Sequence, residues 1–180
     1  RREERVKEAL ERIRRLNKRI NERVEEVNRE NKRLLDEAKR THEELEKEAD
    51  RLLDDVRRKI DSERLERIER KVKEIKERIR ESNKRLKEHV EDTDRRSKEL
   101  NERLNRSSEK TLEDIKRMKD SNVPEEELEK EIRKVLETNR KLAEDVRRDL
   151  ERLLRRNRRL IEESKKEVEK LLKELEEDVR

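Results

Sequence analysis

The sequence has no glycine, cysteine, phenylalanine, tyrosine, tryptophan or glutamine, and a single proline and a single methionine in 180 residues. Each absence closes off a class of chemistry. Without cysteine there is neither a disulfide framework nor a thiolate site, and redox compartment cannot be read. Without aromatic rings there are no stacking platforms for single-stranded nucleic acid. Long apolar runs are missing too. No stretch approaches the ~18 residues a membrane span needs, and no charged-then-apolar leader opens the chain. The expectation is a soluble protein without a targeting signal, of unknown location and suited to recombinant cytoplasmic expression. A surplus of one charge is also lacking, for 57 basic residues face 52 acidic ones and the net +5 is spread along the length. That excludes the one-signed stripe expected of a nucleic-acid surface.

What is present is charge and period. With 61% charged and 26% hydrophobic residues the composition alone resembles a disordered chain, but the apolar residues are spaced too regularly for that. Stacked in eighteens, residues 65 to 118 align in columns: Ile68, Leu86, Leu104; Val72, Val90, Ser108; Ile75, Thr93, Thr111; Leu65, Asn83, Asn101. Eighteen residues make five turns at about 3.6 residues per turn, so the apolar stripe drifts in neither direction and a straight helix follows. The same period orders the first segment (Val6, Val24, His42, Ile60; Ile13, Asn31, Ala49) and the last (Leu128, Val146, Ser164; Asn139, Asn157, Leu175).

Two breaks separate these segments. Extending the first seam past Val56 and Ile60 predicts apolar residues where Glu63 and Arg67 stand, while a new seam begins at Leu65 and Ile68. A slip of two residues is about 200° of helix rotation, so the chain turns there, with Asp61 or Ser62 capping the next helix. The second break, Asp120-Ser121-Asn122-Val123-Pro124, combines turn formers with a proline suited to a helix start, and Glu125, Glu126 and Glu127 follow at the positive end of the dipole. Helices are therefore expected at about 2–60, 63–119 and 124–179, each ~85 Å long at 1.5 Å per residue. Short turns between them predict an all-α, long and nearly straight up-down-up antiparallel three-helix bundle, coiled-coil-like and forming one domain over 1–180.

Straight helices on an eighteen-residue repeat, three to a chain, in a vocabulary of helix formers without glutamine or aromatics, resemble the parametrically designed helical bundles of de novo protein design. The resemblance covers the whole chain. It implies a hyperstable scaffold with no catalytic site, in some cases carrying buried hydrogen-bond networks. Spectrin-like three-helix repeats are similar in shape, but they normally carry aromatics and irregular loops.

With turns near 61 and 122, residue i of the first helix faces roughly 122 − i on the second, and residue j of the second faces roughly 244 − j on the third, within about a turn. Three polar layers follow: Asn17 with Asn101 or Ser108 and Asn139; Asn31 with Thr93, His89 nearby, and Asn157; His42 with Ser82 or Asn83 and Ser164. An isolated amide in a dry core costs about 1–3 kcal/mol, so clustering is the arrangement in which each loses least. The plainer reading places several of these residues at a solvated seam edge.

His42 continues an apolar column and points inward, whereas His89 shares a column with Lys71 and Ser107 at the rim. The facing rule separates the two histidines by about 14 Å, so they share no metal, and a hydrogen-bonded neutral His42 inside a layer is expected. Neither a cofactor nor a metal is implied. General acid–base chemistry needs a water-excluding pocket, which uniform layers do not offer, so no enzyme is expected. Asn105-Arg106-Ser107 fits a glycosylation pattern within a helix and is read as coincidence. The basic run Arg147, Arg148, Arg152, Arg155, Arg156, Arg158 and Arg159 is read as a solvated face rather than a polyanion site.

The leading functional expectation is a monomeric designed scaffold that requires no partner, nucleic acid or membrane, with polar layers that set register. The alternative is an interaction module that buries a seam, with Leu136, Leu154 and Leu172 as the edge, against a fourth helix or another copy.

Overall fold

The computed structural model describes all 180 residues. It is 94% helical, with α1 at Arg2–Val56, α2 at Ser62–Asp120 and α3 at Glu125–Val179, and all three helices pack against one another as an all-α three-helix bundle.

The expected ends hold at the second turn and shift at the first. α1 stops at Val56, four residues short of the expected 60. Lys59 N–H bonds back only three residues to the Val56 carbonyl at 3.0 Å, which tightens the end and leaves Arg57, Arg58 and Lys59 in a turn. Of the two candidate caps, Asp61 is the one used: its Oδ1 accepts from Arg64 N–H at 2.9 Å while its carbonyl accepts from Leu65 N–H at 3.0 Å. At the second turn Pro124 offers the carbonyl that starts α3, taken by Leu128 N–H at 3.0 Å, and its missing N–H costs nothing there. Ser121 closes α2 through its Oγ and backbone N–H, both donating to the Met118 carbonyl.

The contacts divide the chain into two compact units, each built from a piece of every helix: Arg1–Arg29 with Thr93–Leu154, and Glu30–Asp92 with Arg155–Arg180. In the first unit Val6, Ala9 and Ile13 of α1 pack with Ile115 of α2 and with Leu128 and Ile132 of α3. Asn28 lies against Ser97 and Asn21 against Asn101, so α2 runs opposite to α1. Arg5 meets Glu129 and Arg23 meets Glu151, so α3 runs with α1. In the second unit one apolar cluster gathers Ala49, Leu53 and Val56 with Ile68 to Ile79 and Val168 to Leu175, and another gathers Leu35 and Ala38 with Leu86, Val90 and Ile161.

Burial follows the eighteen-residue columns. Ile132, Leu150 and Val168 are each fully buried, as are Asn139, Asn157 and Leu175 to within 4%. Leu65, Asn83 and Asn101 share a half-buried column on α2. On α3 the column Leu136, Leu154, Leu172, expected at an open edge, turns inward, with Leu154 and Leu172 buried, and the half-buried margin is Val135, Leu153 and Leu171 instead. Adjacent columns on an α-helix differ by about 100°, and packing against two neighbours rather than one decides which of them is covered.

Candidate functional site: polar clusters in the bundle

In the second unit the apolar packing is interrupted at the same level on all three helices. His42 of α1 is completely buried; its Nδ1 lies 2.6 Å from Asn83 Oδ1 on α2, and Ser164 Oγ on α3 lies 3.4 Å from its Nε2. Nδ1–H donates to the amide oxygen, and the serine hydroxyl is free to rotate its proton toward Nε2, so each ring nitrogen has a partner. One side chain thus bridges two neighbouring helices, with the partners the facing rule names. Between the two alternatives on α2 the bond goes to Asn83. Ser82 is more deeply buried, at 2% exposure, and its hydroxyl has no hydrogen-bond partner. Ser82, Ser164 and the half-buried His89 line a small cavity of about 90 Å³ together with Leu86 and Leu160.

Asn31 and Asn157 belong to this unit and both are buried. The Asn31 amide is sequestered without a hydrogen-bond partner at either polar atom. Thr93, expected beside it, belongs to the other unit and is buried there.

In the first unit Ser108 Oγ donates to Asn139 Oδ1 at 2.7 Å, and both residues are buried. The other two members expected at that level are not joined to them. Asn17 is half-buried and its Oδ1 has no partner, while Asn101 donates its amide N–H to Asn21, an exposed residue of α1. Asn101, on the half-buried edge of α2, reaches outward to Asn21, whereas Ser108 continues Val72 and Val90 into the core. Sequence reading also missed the pair Ser97 and Asn28, where Ser97 Oγ lies 3.1 Å from Asn28 Oδ1 and 2.9 Å from the Asp94 carbonyl. A signal existed, since Asn28 stands eighteen residues after Leu10.

The ion pairs lie outside these clusters. Arg5 grips Glu129 through Nε at 3.0 and 2.9 Å and through Nη2 at 2.8 Å, which raises the arginine pKa and lowers that of the carboxylate. Arg23 is held more basic by Glu151 and Glu26 although partial burial works against its charge. Lys76 is raised by its hydrogen bond to Asp50 at 2.9 Å. Glu48 and Glu137 are lowered by hydrogen bonds from Arg51 and Arg140. Every shifted carboxylate therefore moves toward stronger acidity through an arginine partner, as in structural ion pairs, and away from the neutral range in which a general acid works.

Arg64 donates to the Asp178 carbonyl at 2.9 Å and so caps the end of α3, while Arg2 reaches the Ser121 and Val123 carbonyls of the second turn. No group of three or more His, Cys, Asp or Glu side chains is placed to hold a metal ion, and no helix is long and apolar enough to cross a membrane. No family model, curated protein or solved structure matches the chain.

Proposed function

We propose that the chain is a designed structural scaffold without a natural biochemical activity, in which buried polar clusters fix the register of the helices. The observation that carries this reading is His42, which bonds Asn83 on one neighbouring helix and Ser164 on the other in the middle of an apolar core. A cluster of this kind adds little stability, because aliphatic residues of the same volume escape the desolvation cost. It adds discrimination: a one-repeat slide that brings Val24 opposite Asn83 and Ser164 sets the imidazole against Leu65 and leaves three polar groups unpaired. The absence of any exposed large hydrophobic residue supports a monomer, of 22.4 kDa in solution.

The test replaces the whole cluster, as His42→Leu with Asn83→Leu and Ser164→Ala. The expected outcome is a denaturant midpoint equal to or above that of the parent, with a broadened mass distribution by light scattering. A variant that stays a single species of parental mass removes register control from the proposal.

A second reading, an interaction module that seats a fourth helix or another copy, is favoured by one feature. In the first unit a groove of about 540 Å³ runs over Ile13, Leu16 and Leu136 between rims that include Arg12 and Arg133. Light scattering of the parent at micromolar concentration separates the two readings, since a mass well above 22.4 kDa selects the second.

A further inference from the structure

The chain carries 57 lysines and arginines, and outside the two terminal residues Arg1 and Arg180 all but three of them lie within helices. Those three are consecutive: Arg57, Arg58 and Lys59, all exposed, in the turn between α1 and α2. The other turn, residues 121 to 124, contains no basic residue. Endoproteases bind their substrates extended, so a helical bond must first unwind, whereas a turn needs only local opening.

The end of α1 is also the more weakly held of the two helix ends that lead into turns. Its last turn carries no basic residue and places Asp54 and Asp55 at the negative pole of the helix dipole. The basic triplet that offsets this charge lies outside the helix, where backbone bonds run from Arg57 N–H to the Leu53 carbonyl at 3.1 Å and from Lys59 N–H to the Val56 carbonyl at 3.0 Å, and its side-chain tether is a local contact of 3.4 Å from Arg57 to Asp54. By contrast, α2 ends with Arg117 and Lys119 on the favourable side of the dipole, Ser121 caps it, and Arg2 ties the turn that follows.

We propose that the α1–α2 turn is the internal cleavage site this chain offers to trypsin-like endoproteases, those whose primary pocket takes a lysine or arginine side chain. Water adds across the peptide bond after Arg57, Arg58 or Lys59; the new carboxylate stays on that basic residue and the released amine of the next residue takes the proton. The cut leaves α1 attached, because Ala49, Leu53 and Val56 remain packed on Ile68 to Ile79 and on Val168 to Leu175. Cleavage converts one chain into a two-chain bundle without a change of fold. Ile60, half-buried against the same cluster, must be withdrawn for the protease to engage, so the cut is slower than in an unstructured loop.

The experiment digests the full native chain with a trace of trypsin and follows intact masses under denaturing conditions. The first internal products are expected to be two pieces that meet between residues 57 and 60. The combined variant Arg57→Gln, Arg58→Gln, Lys59→Gln is expected to slow internal cutting by about tenfold or more, since every remaining site requires a helix to open. A first internal cut at any helical lysine or arginine, or a triple variant digested as fast as the parent, overturns the assignment. Native light scattering of the nicked protein is expected to give the parental mass, and separation of the pieces overturns retention of α1.

Discussion

Two buried polar residues in this chain make opposite demands on stability. Asn139 accepts a hydrogen bond from Ser108 at 2.7 Å, whereas Asn31 has an equally buried amide with no hydrogen bond. Removing one half of a satisfied buried pair leaves the other half desolvated, so Asn139→Leu is expected to cost about 1–3 kcal/mol in urea or guanidinium denaturation. Adding Ser108→Ala to that variant removes the stranded hydroxyl and is expected to recover most of the loss. Asn31→Leu exchanges an unpaired amide for hydrocarbon and is expected to raise the midpoint. An Asn139→Leu chain with the parental midpoint would show that the serine bond contributes nothing.

Between helices the recorded ion pairs act as clasps, and their charge states give them a pH dependence. Arg5 holds the Glu129 carboxyl below its usual value, so the folded state binds that proton more weakly than the unfolded state does. The sign follows: the clasp contributes fully above the unfolded value of 4.5, and its contribution is lost as pH falls through the lower folded value. The Glu129 side chain is 35% exposed and solvent screens the pair, so the effect amounts to about 0.2–1 kcal/mol. Parent and Arg5→Gln should therefore differ most in denaturant midpoint near pH 6 at low salt, and the gap should close toward pH 3. A gap that stays constant over that range would assign the Arg5 contribution to packing of its stem instead.

Taken over the whole chain, many apolar layers and few loops add small contributions along 169 helical residues, the sum of 55, 59 and 55 in the three helices. Few loops mean little ordering entropy spent on irregular backbone, and no large hydrophobic side chain is left in water. The expected melting temperature lies above roughly 90 °C by circular dichroism. A cooperative transition below about 65 °C would contradict a continuously packed core.

The sequence by itself determined the three helices, both turns, the direction of each helix and the level at which His42 meets Ser164 and one of Ser82 and Asn83. The reason is that an eighteen-residue period closes on the helical turn, so every column keeps one environment and facing positions follow from the turns alone. Asn83 and Asn101 stood in one column, and both proved half-buried. Only the tertiary structure decided which of two adjacent columns on α3 is covered, and which amide on a half-buried column reaches inward. Asn83 turns to His42 and Asn101 to Asn21, although their sequence positions are equivalent. Side-chain rotation within a layer depends on what the other two helices present at that height, and no periodicity along one helix carries that information.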